Sequence, residues 1–440
     1  LEGFVVTSLA ASGVSEGRPT RPKGRQPNGG KLANPPIFQR NNIMPRKTPF
    51  FSRTSALCQS QSWQEWAGFL SANTYELAHN YEYYAIRTAA GLLDISPLYK
   101  YHIHGRDAFR LVNRMVTRDV GRCAVGQVIY TPWCDDEGKI IDDGTLSRLE
   151  DNFFRLTAAE PTYHWLGDNA VGLDVEIEDV TESLAALALQ GPTSCDILNQ
   201  VTDVDLTGLK FFRLTQAKIA NIPVTISRTG YTGDLGYEIW VAPQHAERLW
   251  DTLMEAGRPY GIRAVGNVAL DIVRIEAGLL LINVDFISAK HTMFEIQKST
   301  PFELGLGWTV HLDKPYFVGQ AALRAERTRS PAWATVGLEI NLTALEKVYR
   351  EFGMPLTLPI ESWNEAVPVY AGWQGRQIGK ATSGAWSSIL KKYIALARLK
   401  PSYARPGTRV ALEVSVEAHR RQAEAVVVET PFFEPPRKRN

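Results

Sequence analysis

The stretch Ser227-Arg-Thr-Gly-Tyr-Thr-Gly-Asp-Leu-Gly-Tyr-Glu238 sets two aromatic rings and a carboxylate on a glycine-punctuated connection. Residues 222–228 alternate apolar and polar side chains and residues 237–241 resume a β-rich run, so the order is strand, glycine turn, strand. Gly230, Gly233 and Gly236 fall in the connection, where a positive φ costs glycine least. A carboxylate such as Glu238 offers two acceptors side by side, and the 2-amino-4-oxo edge of a pterin, like that of guanine, offers two adjacent N–H donors. A plain hairpin, with a solvated acid and Tyr231 and Tyr237 packing a sheet edge, fits the same pattern.

The chain has 440 residues, too many for one ordinary core, and two or three domains are expected; a hydrophobic fraction of 44% supplies material to bury. A formal net charge of +1 with 22% charged residues lacks the basic excess of a protein that chiefly binds phosphate backbones. Cys58, Cys123, Cys134 and Cys195 are scattered, with no C-x-x-C pair, which suggests neither a disulfide framework nor a thiolate zinc site and fits a reducing, cytoplasmic compartment. His102 and His104 alternate on a strand without a third ligand at metal-site spacing, so a structural role is expected and no metal site. No apolar run approaches the roughly 18 residues of a membrane-spanning helix, so a soluble protein is expected. Residues 1–43 are rich in Gly, Pro, Asn and basic side chains and precede Met44, and the expectation there is a disordered extension ahead of a start at Met44.

Residues 62–90 read as helical, with Trp63, Trp66, Tyr75, Tyr81, Tyr83 and Tyr84 as an aromatic core cluster. Strands are predicted at 99–104, 128–133, 138–149, 153–158 and 184–190. Helices are predicted at 107–115, 163–169, 192–198 with Pro192 in the first turn, 246–256 and 268–276. This mixture lacks the regular βαβα rhythm of a parallel sheet and predicts an α+β class. From Thr335 to Pro431 short strands alternate with Gly and Pro turns without a long helix, the pattern of a β-barrel or sandwich.

A second chemical segment is Tyr130-Thr-Pro-Trp-Cys-Asp-Asp-Glu-Gly-Lys-Ile-Ile-Asp142-Asp143-Gly144. Adjacent strand residues point to opposite faces, so one of the two acids turns inward or ends the strand. An inward acid has to be paired, protonated or functional; a turn acid capping backbone amides is the plain alternative. A third segment, Arg274-Ile-Glu276-Ala-Gly278, puts a permanent cation on a helix. It suits a carboxylate ligand, or equally a salt bridge with Glu276 or another neighbour.

These segments, in this order, resemble the glycine-cleavage T-protein (aminomethyltransferase) family over about residues 91–433. Leu189-Gln-Gly-Pro192, Pro301-Phe-Glu-Leu-Gly-Leu-Gly-Trp308, Thr382-Ser-Gly384 and Pro431-Phe-Phe433 add to the match. The resemblance implies a three-domain, ring-like fold: two interleaved α+β folate-binding domains over 44–330, a C-terminal β-barrel over 331–433, and a tail at 434–440. It implies tetrahydrofolate as cofactor, bound in the central opening, with Asp143 as the catalytic acid. Tyr130, Asp142, Tyr231, Glu238, Arg274 and Trp308 are the implied folate-binding residues, Arg274 suiting the glutamyl tail. The implied activity is one-carbon transfer onto tetrahydrofolate, with a lipoylated H-protein as the partner in its narrow aminomethyl form.

Departures fall on the donor side. The family's Asp-Val-Ser-His-Met segment stands here as Asp94-Ile-Ser-Pro-Leu98, Val268-Ala-Leu-Asp271 replaces Gly-Ala-Arg-Asp, and Ser147 replaces a tyrosine. Residues 281–300, with Lys290, His291 and Lys298, form a longer connection than the family's usual one, and such loops shape substrates. A demethylase acting on a small methylated amine, sulfonium or aryl ether is therefore a second reading. A non-catalytic folate-binding factor for iron–sulfur maturation is a third; its Lys-Gly-Cys-Tyr-x-Gly-Gln motif stands here as Lys314-Pro-Tyr-Phe-Val-Gly-Gln320, without the cysteine. No G-x-G-x-x-G follows a strand, so no dinucleotide fold is expected.

Overall fold

The computed structural model describes residues 44–440, and the expectation for residues 1–43 lies outside the described residues. A six-stranded sheet runs in the order Leu214–Ile219, Ile222–Ser227, Gly236–Val241, Ala185–Gln190, Gly91–Asp94, Arg263–Ala264. Its neighbours pair antiparallel except the last, which is parallel. Alternation along the strands gives this sheet two apolar faces. Leu187, Leu189, Ile239 and Val241 pack on Ile197, Leu198, Leu249 and Leu253 from helices Ser194–Val201 and Ala246–Gly257. Ala186, Ala188 and Trp240 meet Ile272, Val273 and Ile275 of helix Asn267–Glu276, together with Ile394 and Leu396 of the C-terminal barrel.

A five-stranded sheet runs in the order Gln127–Cys134, Ile140–Glu150, Phe153–Ala158, Tyr99–His104, Glu176–Asp179. One face, with Tyr101, Ile103, Leu146, Phe154 and Leu156, packs on Leu111, Val112 and Met115 of helix Ala108–Met115. The other face is polar. Cross-strand register pairs Tyr130 with Thr145, Thr145 with Thr157, and Ser147 with Arg155, and Asp143 lies two residues from Thr145. Tyr130, Asp143 and Arg155 therefore share that polar face.

From Ala334–Ile340 to His419–Val428, six strands close into a barrel, the first strand pairing with the last. These sheets and the barrel make the α+β class with a C-terminal β-barrel predicted from sequence. No helix among the described residues is long and apolar enough to cross a membrane.

Three sequence expectations are corrected. Residues 62–90 are not one helix: Ser62–Trp66 and Phe69–Thr74 form a hairpin, and only Asn80–Thr88 is helical. Ala67 and Gly68 take positive φ values of 49° and 81°, the backbone that matches a tight turn to strand twist. Of the predicted aromatic cluster, Tyr75 and Tyr83 are buried while Tyr81 and Tyr84 are exposed. The helix after Gly191-Pro192 begins at Ser194, so Pro192 precedes it rather than opening it. The barrel region holds a short helix of 9 residues, Leu342–Arg350, in keeping with the expected lack of a long one; its Asn341 side chain caps the Ala344 N–H, and its Leu345 and Val348 are buried.

Candidate functional site

The glycine connection before Gly236–Val241 is built around the side chain of Gln190. Its amide nitrogen donates to the Thr229 and Tyr237 carbonyls at 3.2 and 3.4 Å, and its oxygen accepts from Thr232 Oγ1 at 2.8 Å. A Cβ at Gly230 or Gly236 would lie 2.0 or 2.2 Å from Gln190 Oε1, which explains both glycines by close approach. Only Gly233, with φ of 71°, uses the positive-φ freedom expected of all three. Gly236→Ala is expected to cost about 1–3 kcal/mol, because Gln190 is held by three hydrogen bonds and cannot yield. Gly208→Ala, where nothing lies within 4 Å, is the control. Equal urea midpoints for the two variants would remove this account.

Glu238 is half-buried and accepts a hydrogen bond from Thr229 Oγ1 at 2.7 Å. Thr229 is joined to Ser227 Oγ at 2.8 Å, and Ser227 accepts from the Trp240 indole at 3.4 Å. Burial raises the Glu238 carboxyl above its ordinary range, opposed by Thr229, by the positive charge of Arg155 and by Ser227. Arg155 reaches across from the five-stranded sheet and lies over the Trp240 ring at 4.0 Å. The face that carries Asp143 is therefore turned toward the face that carries Glu238.

Asp142 and Asp143 lie inside strand Ile140–Glu150 rather than in a turn, and they divide as strand parity requires. Asp142 has 0% exposure and accepts the N–H groups of Glu160 at 3.0 Å and Asp143 at 2.8 Å. The amide-holding role that the sequence offered as the plain alternative belongs to Asp142, which leaves it no free face for a ligand. Asp143 is half-buried and lies against the Tyr130 hydroxyl. Burial lifts the Asp143 carboxyl to about 6, with Tyr130 pulling the other way. Burial and the neighbouring Asp143 charge also raise Asp142, so the pair resists double ionisation. Gly144 follows because a Cβ there would fall 2.0 Å from the Thr157 carbonyl of the next strand.

Tyr130 stacks on Trp308 with centroids 6.1 Å apart and planes 27° apart, and Trp308 is 59% exposed with Arg118 on its ring at 5.4 Å. Tyr231 is half-buried, and its hydroxyl donates to the Leu280 carbonyl. Burial pushes its titration up, and the charges of Arg274, Asp143, Asp285 and Asp271 act on it. Tyr130, Asp143 and Tyr231 thus form one group, with Trp308 on its rim.

Arg274 is placed differently from the carboxylate-tail contact implied by the resemblance. It has 0% exposure, and its donors are taken by Asp271 at 2.7 Å, Asp285 at 2.5 Å, the Leu279 carbonyl at 3.3 Å, Ser383 at 3.2 Å and Asn364 at 3.1 Å. The salt-bridge alternative describes this geometry, with Asp271 and Asp285 as partners. Glu276 instead takes Arg87 at 2.6 Å, Tyr83 at 2.5 Å and Ser387 at 2.6 Å.

The long connection lies beside the acid pair. Ala289 N–H donates to the Ile140 carbonyl at 2.8 Å and Ile140 N–H to the Ser299 carbonyl at 2.8 Å. Asn283 holds Glu160 at 2.6 Å. Sequence reading missed Gln190, Asp285 and Arg155 as positioning groups; for Arg155 the available signal was a lone cation alternating with Phe154 and Leu156. Among the described residues no cluster of His, Cys, Asp or Glu has metal-binding geometry.

Comparison with known proteins extends this picture. The GCVT N-terminal domain model matches residues 54–314, and the glycine cleavage T-protein C-terminal barrel domain matches residues 356–434. An aminomethyltransferase of Caldanaerobacter subterraneus subsp. tengcongensis is 34% identical over 357 residues, 80% of this chain and 87% of that protein. A trimethylamine-oxide aldolase of Ruegeria pomeroyi is 35% identical over 411 residues, 90% of this chain but 48% of that protein, so the chain spans about half its length. The crystal structure of the glycine cleavage system aminomethyltransferase T from Bartonella henselae superposes with a TM-score of 0.75 at 23% identity, covering 89% of this chain and 98% of that one. The chain belongs to the glycine-cleavage T-protein family.

Proposed function

We propose that this chain is a tetrahydrofolate-dependent one-carbon transferase whose pterin site lies between the two facing sheets. The observation that carries the reading is the division of two half-buried carboxylates: Glu238 on one sheet beside Thr229, and Asp143 on the other beside Tyr130. A reduced pterin fits this donor set, since its N–H edge needs paired acceptors and its flat ring needs aromatic walls. Glu238 would hold that edge, and Tyr130, Tyr231 and Trp308 would line the ring and its approach. Asp142, fixed by two backbone amides, would keep Asp143 in place. Residues 44–330 would supply this site and residues 331–433 the barrel that braces it.

When bound, tetrahydrofolate supplies the nucleophilic nitrogens that accept a carbon unit. Asp143 would stabilise positive charge or hold the proton displaced there, and a carboxyl titrating near 6 is matched to proton transfer close to neutrality. In the narrow form the unit is an aminomethyl group from a lipoylated H-protein, with ammonia released. A second form, demethylation of a small methylated amine, sulfonium or aryl ether, is favoured by the long 281–300 connection against Ile140 and by the relative named trimethylamine-oxide aldolase. The experiment is a donor screen with tetrahydrofolate as acceptor, with and without lipoylated H-protein, identifying the folate product. Methylene product that requires the H-protein selects the first form and methyl product from a small donor the second. Absence of tetrahydrofolate binding sinks both.

Glu238→Gln is expected to weaken tetrahydrofolate binding by about 1.5–3 kcal/mol, the range for a charge-assisted pair, measured by titration calorimetry. An unchanged dissociation constant would remove Glu238 from the site.

A further inference from the structure

Arg155 is a buried cation near Glu238 to which the proposed folate site gives no role. It is 2% exposed, and among the described residues its Nε and Nη2 have no hydrogen-bond partner. A sealed guanidinium is costly unless paired, and stacking on Trp240 offsets only part of that cost. Burial draws its titration down to about 10, with Glu238 opposing. The other charged groups acting near it are Lys100 and His102, both on strand Tyr99–His104. Lys100 donates to the Ser96 and Leu98 carbonyls, and His102 rests edge-on to Phe153, so neither supplies an acceptor.

The neighbours of Arg155 are arranged to hold it. Ser147, its cross-strand partner, is short. Trp240, beneath it, sits two residues from Glu238 on the same strand face and is tied to Glu238 through Ser227 and Thr229. The site therefore presents an acceptor and, beside it, a guanidinium whose charge Glu238 opposes but whose Nε and Nη2 donors are unpartnered among the described residues. That pairing is complementary to a ring edge on which N–H donors adjoin a carbonyl oxygen.

We propose that Arg155 is a specificity residue of the Glu238 site, a fixed cation that selects rings with a carbonyl oxygen beside their N–H donors over rings with an amino group there. The inference rests on the folate reading. An amino group in place of the carbonyl turns an acceptor into a donor, which faces the guanidinium with the wrong polarity. A cation next to Glu238 also disfavours a ring that binds in protonated form.

The test measures dissociation constants of the full chain for tetrahydrofolate and for its 4-amino-4-deoxy analogue, in wild type, Arg155→Met and Arg155→Lys, with thermal unfolding recorded for each. The expected result is a preference for the 4-oxo ring of roughly tenfold or more in wild type, reduced by at least about fivefold in Arg155→Met, where the N3–H that the amino ring lacks still lets Glu238 discriminate, and largely kept in Arg155→Lys. Equal weakening of both ligands in Arg155→Met would mean that Arg155 acts only through Glu238, and would overturn the proposal. A wild type without preference overturns it too. If wild type binds neither ring, the folate reading itself has failed, which is a different result from binding without discrimination. Should Arg155→Met fail to fold, Arg155→Lys and Arg155→Gln decide: the amide variant must lose discrimination relative to lysine, and equal discrimination overturns the proposal.

Discussion

Asp143→Asn is expected to lower turnover by about 100-fold or more while tetrahydrofolate affinity stays within about threefold, because the amide keeps the shape beside Tyr130 but cannot hold a proton. Wild-type activity should fall as pH drops through about 6, where the carboxylate is neutralised, and the variant should lack that limb. The same substitution should stabilise the fold. Folding raises the Asp143 pKa from an ordinary value near 3.8 to about 6, so its stabilising contribution is complete below the unfolded value and is lost as pH rises through 6. Asparagine never ionises. The variant should therefore exceed wild type by about 1–3 kcal/mol at pH 7–8, with little difference near pH 4. Full turnover in Asp143→Asn, or a variant less stable than wild type at pH 8 and equal at pH 4, would contradict the assignment. Loss of activity with gained stability marks an acid retained for chemistry rather than for folding.

Strand parity is local, so the sequence showed that one of the two acids must turn inward or end the strand, while the choice of Asp143 for chemistry came from the family resemblance. Two adjacent aspartates on one strand cannot both face the same way, and the structure seals Asp142 and leaves Asp143 open. Parity also located strand Phe153–Ala158, and helical period located Tyr163–Asn169. Residues 62–90 were misread because their aromatics satisfy either period, and the turn at Ala67-Gly68 that decides between them is a two-residue event. Gly230 and Gly236 were visible as glycines but not for their reason, since Gln190 reaches them from another strand 40 and 46 positions away in the chain. Arg155 carried only a weak signal for a related cause: a lone arginine in a strand, even one alternating with Phe154 and Leu156, reads as a solvated residue until the opposing sheet covers it.

Arg274 shows the same limit at larger energy, and Arg274→Met is expected to destabilise the protein by about 3–5 kcal/mol, the cost of leaving buried carboxylates without their cation. Its motif suggested a ligand contact, but its partners Asp285 and Ser383 lie 11 and 109 residues away, beyond any local pattern. Asp285 carries the junction further, accepting from the Leu281 N–H at 2.8 Å, Thr382 at 2.5 Å and Ser383 at 2.7 Å, so one ion pair ties helix Asn267–Glu276, the long connection and the barrel together. Removing the guanidinium strands Asp285 in a site with 3% exposure, and neutralising it as well should recover part of the loss. Arg274→Met with Asp285→Asn is therefore expected to be more stable than Arg274→Met alone by at least about 1 kcal/mol, read from urea midpoints. A ligand-contact role predicts the opposite pattern: near-normal midpoints for Arg274→Met and a weakened affinity for polyglutamylated over monoglutamylated tetrahydrofolate. Because the tail of a folate would have to displace Asp285 to reach this guanidinium, the structural outcome is the one the hydrogen bonds require.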